Sequence, residues 1–383
     1  MTGVQTCALP IYLFLIGAYR NNEVTAGHPL AIALEKLREE SNITGNRIET
    51  ITLGALAVRD IGQLIANTLH AESSTVRSLV EIIVNKTRGN PFFVNEFLKS
   101  LYADNLLSFN AIRHHWEWEI EEIRETKITD NVADLMLNKL NKLPESAREV
   151  LRLAACIGAD FDLKTLAKLR EKPPREVFAE LEPAIQKGLI VTTSELDEEL
   201  LIADYKFGHD RIQQAAHSLI DEAEKKAINL KIGRWWLENV DLETASEKLF
   251  ETADRFNFAI DLIEDKEELN RIVQLNLSAG KKAKAATAYD AAVGYLRTGL
   301  NLLPADSWQT DYDLTLNLHL EAIKAKYLDG QIDRARERSK LGLEAVTNLL
   351  DRVKIYELQI QFYFAENELT KAVNLGLSVL EML

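Results

Sequence analysis

Three short segments of the sequence carry side chains that could contact a phosphate group. His209 precedes a predicted helix, and an imidazole beside the free N–H groups of a helix N-terminus suits an anion. Arg20 follows a short apolar run, at the position where a nucleotide-binding α/β sheet presents its ligand contacts. Asn90 and Pro91 lie in a turn between two predicted helices. Each also has a purely structural interpretation: a loop arginine, a helix boundary, and a histidine held by Asp210 or by the backbone.

No complete catalytic site can be assembled from the sequence. The phosphate-binding pattern GxxxxGK[ST] occurs nowhere in the 383 residues, and no apolar run ends in the paired acids that would hold Mg²⁺. The histidines and cysteines do not combine into a Ser/His/Asp or Cys/His set. His114 and His115 have no partner at metal-ligand spacing and are predicted to be solvent-facing strand residues.

The elements that would position these residues begin with an α/β pattern. Leu13 to Tyr19 is a continuous apolar run, typical of a strand buried on both faces of a parallel sheet. Ile48 to Leu53 predicts a second short strand, and the loose alternation from Leu106 to Ile123 indicates a hairpin. Amphipathic helices are predicted over 31–40, 60–70 and 73–88, and from Pro91 onward.

The second half of the chain predicts a winged-helix domain followed by helical repeats. Helices are predicted over 130–143, 144–157, 162–169 and 173–188. Two predicted strands, 189–193 and 202–207, flank an acidic turn, and helices that end in such a hairpin describe a winged helix. Residues 283–303 then show the small and aromatic spacing of a tetratricopeptide-like helix pair. Tyr327 and Tyr363 begin similar segments about 36 residues apart, close to that repeat's period of about 34.

Composition limits the function classes. The sequence is 46% hydrophobic and 27% charged, and no apolar stretch is long enough to span a bilayer, so no membrane partner is predicted. A net charge of −14 disfavours a large electrostatic footprint on nucleic acid. Cys156 lies in an apolar stretch, and a single buried thiol cannot form a disulfide framework, which favours a cytoplasmic location.

Three motifs together resemble one family. The segments GNPFFVNEF (89–97), LRLAACIGADF (151–161) and YKFGHDRIQQAAHSLI (205–220) are similar to lid and winged-helix signatures of the STAND branch of AAA-like signalling ATPases. In particular they resemble the large bacterial proteins that join a Ser/Thr kinase, such an ATPase and a sensor histidine kinase. The resemblance covers 12–383 and implies ATP or ADP as cofactor, with Mg²⁺ in the full-length parent and weak or absent binding in this fragment.

The resemblance also implies a role for each candidate residue. Arg20 resembles the sensor arginine that reads the terminal phosphate in this ATPase class. Asn90 and Pro91 match the lid motif whose proline packs on the adenine. His209 resembles the histidine that contacts the β-phosphate of ADP and holds the closed state. Gly208 stands where the related animal and plant motif has methionine, so the apolar packing of that motif differs here.

The fold class predicted from these observations is mainly α, with a remnant of a P-loop α/β sheet, a helical lid, a winged-helix domain and then a TPR-like α-solenoid. Residues 1–11 resemble a translated sequencing adapter and are interpreted as a probable artefact. The predicted parts are the C-terminal remnant of the P-loop nucleotide-binding domain (12–54), the helical lid with its hairpin (55–128), the winged-helix domain (129–222) and truncated TPR-like repeats (223–383).

The first functional hypothesis is a nucleotide-dependent regulatory switch within a multidomain Ser/Thr kinase and sensor histidine kinase. The fragment lacks both Walker motifs and should be inactive alone, whereas its parent would be an ATPase or protein kinase. Its partners would be the nucleotide, the other domains of the parent chain, and proteins bound by the helical repeats. Two alternatives stay open: an interaction scaffold indifferent to nucleotide, and a winged-helix DNA-binding regulator, which the acidic balance disfavours.

Overall fold

The chain divides into two units, residues 1–130 and 131–383. The computed structural model describes residues 16–19, 30, 34, 37–38, 48–125, 132–194, 204–242 and 245–383, and it is mainly α, as predicted. Among these residues no helix has the length and apolar character needed to cross a membrane. Arg20, most of the helix predicted over 31–40, and the acidic turn before 202 lie outside the described residues.

From residue 48 onward, the described part of the first unit holds four helices and a hairpin. They are α1 (Val58–Thr68), α2 (Arg77–Thr87), α3 (Pro91–Ala103), β1 (Leu107–Asn110), β2 (His115–Trp118) and the short α4 (Ile120–Glu125). The apolar stripes of α1 to α3 meet in a core that includes Ile61, Ile65, Leu79, Ile83 and Phe97, all fully buried. The strands β1 and β2 pair antiparallel. The predicted hairpin and the three predicted helices around this core are confirmed.

The prediction of a strand over 48–53 is wrong. Residues 48–57 have no regular secondary structure, and Ile51 and Leu53 are 84% and 90% exposed. Ile16 to Tyr19, the described end of the first predicted strand, is likewise exposed and outside any strand. A buried strand needs neighbours that pair its N–H and C=O groups and cover its faces. No described strand lies beside either segment.

The second unit begins with the predicted winged helix. Its elements are α5 (Val132–Asn141), α6 (Glu145–Ile157), β3 (Asp160–Asp162), α7 (Leu163–Arg170), α8 (Pro174–Gln186), β4 (Ile190–Thr192), β5 (Asp204–Phe207) and α9 (Asp210–Ser218). The strands form an antiparallel sheet in the order β3–β5–β4, so β3 is an addition to the predicted two-stranded hairpin. Tyr205 of β5 is fully buried and stacks on Phe161 of β3, with ring centroids 5.8 Å apart.

Helical repeats form the rest of the second unit. They are α10 (Glu222–Asn239), α11 (Ser246–Phe258), α12 (Lys266–Ala285), α13 (Tyr289–Leu302), the short α14 (Ser307–Thr310), α15 (Tyr312–Leu328), α16 (Ile332–Ala345), α17 (Leu349–Ala365) and α18 (Leu369–Met382). Successive helices share apolar clusters along the array. The Tyr327 ring stacks on Phe362, with centroids 3.8 Å apart, and this contact joins α15 to α17. Each helix therefore packs on its neighbours in sequence, as a solenoid requires.

Gly280 allows α12 and α13 to approach closely. A Cβ at this position would lie 2.5 Å from Cγ of Leu296, a fully buried side chain. Gly280→Val is therefore expected to lower the free energy of unfolding by about 2 kcal/mol, because overpacking a filled core costs about 1–3 kcal/mol. Urea denaturation followed by far-UV circular dichroism measures this change.

Gly294→Ala on α13 is the matched control. No atom lies within 4 Å of a Cβ at Gly294. Alanine there is expected to be neutral or to stabilise the protein by about 0.5–1 kcal/mol, because alanine favours helix more than glycine does. An equal loss of stability in both variants would contradict the close contact at Gly280.

Candidate functional site

The turn before α3 depends on two residues with left-handed backbone conformation. Arg88 and Gly89 both have positive φ, 50° and 75°, which ends α2. A Cβ at Gly89 would lie 2.5 Å from the Leu56 carbonyl oxygen, so this position requires glycine. The Leu56 N–H donates to the Gly89 carbonyl at 2.8 Å, which attaches the preceding segment to the turn.

Asn90 and Pro91 start α3 in the way that the sequence predicts. The Phe93 N–H donates to Oδ1 of Asn90 at 3.0 Å, so Asn90 is the N-cap, and Pro91 occupies the first turn, where its missing N–H has no cost. Both residues are exposed. The Asn90 oxygen is thus used for capping, while the Pro91 ring is accessible to a planar ligand at the positive end of a helix.

His209 is the N-cap of α9. Its backbone is extended, and the Arg211 N–H donates to Nδ1 of His209 at 3.1 Å. The same nitrogen lies 2.6 Å from Oδ1 of Asp210, and the two side chains are about one-third exposed. In the neutral imidazole Nδ1 accepts from Arg211 and Nε2 carries the proton, whereas the protonated ring can donate from Nδ1 to Asp210. In the neutral form the N–H of the ring is therefore on Nε2, at the N-terminus of a helix.

Asp210, the residue after His209, does not cap this helix. Asp210 is the first residue of α9 and has helical backbone, whereas the cap is the extended residue before it, which is His209. Asp210 instead contacts the imidazole. Such a contact is consistent with the predicted role of Asp210 in orienting His209.

Gly208 has a steric reason to be glycine. A Cβ there would lie 2.7 Å from the Gly188 carbonyl oxygen, in the turn that follows α8. The Gly208 N–H also donates to the Leu189 carbonyl at 2.9 Å. Because the backbone is this close, a larger side chain at 208 would displace the segment that carries His209.

The candidate residues divide between the two units. Asn90 and Pro91 are adjacent in the first unit, His209 lies in the second, and Arg20 is outside the described residues. The histidine pair at 114 and 115 is accessible: His114 has φ of 55° in the hairpin turn, and the exposed His115 contacts Glu117 at 3.1 Å. No group of residues that could hold a metal ion occurs in the part of the chain that the structure describes.

Cavities in the second unit bring together residues that the sequence analysis missed. One of about 620 Å³ lies between the winged helix and the first repeat helices, beside Arg255. Another of about 570 Å³ lies among the repeats, with Arg297, Lys326 and Arg334 in its wall. The three cations of the second cavity come from three different helices, so no local pattern in the sequence marks their cluster.

Comparison with known proteins finds similarity to two histidine kinases. No protein-family model matches the chain. The chain is 30% identical over 413 residues to hybrid signal transduction histidine kinase G of Dictyostelium discoideum, covering 92% of this chain and 12% of that protein. It is 23% identical over 317 residues to the peroxide stress-activated histidine kinase mak3 of Schizosaccharomyces pombe, covering 80% of this chain and 13% of that protein. The chain thus spans only a small part of these relatives.

Among solved structures, the chain is similar to a Pyrococcus horikoshii protein described as a signal transduction ATPase with numerous domains (STAND) that has a tetratricopeptide repeat sensor. The TM-score is 0.37 and the identity 13%, with 86% of this chain and 48% of that chain covered.

Proposed function

We propose that this chain is the regulatory region of a multidomain signalling protein that contains a histidine kinase, and that bound ADP or ATP sets its state. The observation that supports the signalling role is the extent of the similarity. Alignments over 92% and 80% of this chain fall within 12% and 13% of two much longer histidine kinases from different organisms. A module of this size recurs within larger proteins of one class. We further propose a cytoplasmic protein whose other domains include a Ser/Thr kinase.

The proposed nucleotide contacts are those whose local geometry suits them. His209 would donate from Nε2 to a phosphate oxygen, because Nδ1 is occupied by the Arg211 N–H. Pro91 would pack on the base, because its ring is exposed at the start of α3 while Asn90 holds the turn. Arg20 would reach the terminal phosphate. ADP and ATP would shift the region between two states only if these residues contact them differently.

The proposed role of His209 in nucleotide binding can be separated from its role as the N-cap of α9. The test protein is the multidomain protein of this proposal, in which this chain is the regulatory region. His209→Ala and His209→Asn are both expected to weaken ADP binding about tenfold or more, because a hydrogen bond to a charged group contributes about 1.5–3 kcal/mol. Isothermal titration calorimetry with ADP, and then with ATP and Mg²⁺, measures the change.

His209→Asn is the matched control, since asparagine can accept from the Arg211 N–H and keep the cap. Its stability is expected to equal that of the unaltered protein, whereas His209→Ala loses about 1 kcal/mol. If His209→Asn bound ADP as tightly as the unaltered protein, the histidine would act as a cap alone. If ADP and ATP bound neither the unaltered protein nor the variants, the region would act as a scaffold indifferent to nucleotide.

A further inference from the structure

A cavity of about 570 Å³ opens among the helical repeats, walled by α11, α13, α15 and α16. Three of its lining side chains are cationic and come from three different helices: Arg297 on α13, Lys326 on α15 and Arg334 on α16. Arg338, one turn beyond Arg334, is a fourth cation close enough to affect Lys326. Four positive charges therefore gather in a chain whose net charge is −14.

The lining cations have no carboxylate partner. Within the described ranges none of the three forms an ion pair, and Arg334 donates to the neutral Oε1 of Gln331 at 3.1 Å. Asp254 and Asp290 also line the cavity, but the Asp254 carboxylate accepts a hydrogen bond from Tyr295. The cations thus keep an unused capacity to bind an anion.

Several other cations of the repeats do form ion pairs with carboxylates. The pairs include Lys284 with Glu321, Arg336 with Glu366, and Lys354 with Asp351. In the cavity, burial and repulsion from Arg338, Arg334 and Arg297 lower the pKa of Lys326, and the attraction of the nearby Glu337 carboxylate offsets this only in part. An anion in the cavity would relieve this repulsion.

We propose that the cavity binds an acidic segment of a partner protein, with carboxylates facing Arg297, Lys326 and Arg334. A volume of about 570 Å³ exceeds what a single phosphate fills and lies in the range of pockets that enclose larger ligands. Gly294 leaves open space at the wall, since no atom lies within 4 Å of a Cβ there, and this space admits a peptide backbone.

A peptide fits the mixed charges better than a nucleic acid does. Asp254 and Asp290 would repel the phosphates of RNA or DNA, which are fixed at even spacing along the backbone, whereas a flexible peptide can turn its side-chain carboxylates toward the cations and away from these two acids. The proposal names a partner for the repeats of the proposed regulatory region. It requires no nucleotide, so its failure and that of the nucleotide switch are distinguishable.

The experiment measures binding of fluorescein-labelled hexaglutamate to the full chain by fluorescence anisotropy, with hexaglutamine as the neutral probe. The acidic chain repels this probe overall, so binding reports a local site. Arg334→Glu and Gly294→Leu are expected to weaken binding at least about tenfold, one by reversing a charge and the other by filling the space. Both variants are expected to fold, because Arg334 and Gly294 lie outside the core and leucine favours helix more than glycine does.

Lys340→Glu is the matched control, because Lys340 is exposed on the same helix, α16, and does not line the cavity. Binding by this variant is expected to stay within about twofold of the unaltered chain. The proposal is overturned if hexaglutamate binds no better than hexaglutamine, or if Lys340→Glu weakens binding as much as Arg334→Glu. It is also overturned if Gly294→Leu has no effect while inorganic phosphate displaces the probe, or if single-stranded DNA binds more tightly than hexaglutamate.

Discussion

Arg255→Met is expected to lower the free energy of unfolding by about 3 kcal/mol and to loosen the winged helix from the repeats. The Arg255 guanidinium donates to the Cys156 and Ile157 carbonyls at the end of α6, and to Asn229 Oδ1 of α10 at 2.7 Å. It also lies 4.4 Å from the Trp236 ring centroid. Methionine keeps an apolar stem but removes every donor, so the carbonyls that end α6 lose these partners.

Lys248→Met tests whether the loss is specific to Arg255. Both residues lie on α11, and the Lys248 ammonium is 4.1 Å from the same Trp236 ring, but its side chain is 40% exposed and pairs with Glu251. This control is expected to change the free energy of unfolding by less than about 0.5 kcal/mol. In Arg255→Met, but not in Lys248→Met, amide hydrogen exchange should accelerate at the end of α6 and in α11. Equal urea midpoints for the two variants would show that Arg255 does not join the two parts.

The sequence predicted elements well wherever the signal is local. Apolar residues at helical spacing and Gly or Pro at the boundaries located α2 and α3, and the same signals located the helices and hairpin of the winged helix. The strand β3 was not predicted, because Phe161 is its only apolar residue. Its strand conformation depends on pairing with β5, where Asp160 lies opposite Lys206. Such pairing is a property of the tertiary structure.

The apolar run over 48–53 shows the opposite error. Ile51 and Leu53 have the composition of a buried strand, yet both are exposed, because a strand exists only where another strand accepts its hydrogen bonds. The composition of a segment shows whether it could form a strand. It does not show whether a second strand lies beside it to pair with.

The candidate site was predictable in its local geometry only. The positions of Asn90, Pro91 and His209 at helix N-termini are confirmed, because helix boundaries have sequence signals of their own. Their contacts with nucleotide stay predictions. Arg255 could not be predicted, because it bonds to the Cys156 carbonyl 99 residues earlier in the chain. The cations of the repeat cavity could not be predicted either, because they lie on three different helices that only the tertiary structure brings together.

Acidification from pH 6.5 to pH 4 is expected to destabilise the protein by about 3 kcal/mol through His319 alone. Burial of the imidazole, with a smaller effect from Arg338, lowers the pKa of His319 from 6.5 to about 4. Between these values the unfolded chain binds a proton that the folded chain does not, so stability falls as the pH falls. Above pH 6.5 the imidazole is neutral in both states and no stability is lost, and below pH 4 the loss stops growing because both states are protonated.

His319→Phe should abolish this slope. The His319 ring lies 5.0 Å from the Trp308 centroid, and its Nδ1 has no hydrogen-bond partner among the described residues, so phenylalanine keeps the packing and loses no bond from that atom. Urea denaturation at several pH values should show the variant gaining stability over the unaltered chain as the pH falls toward 4. His115→Phe, at an exposed position in β2, is the matched control and should show no such gain. If the stability difference between His319→Phe and the unaltered chain stayed constant with pH, the folded and unfolded states would bind the His319 proton equally. Burial would then not control the charge of this histidine.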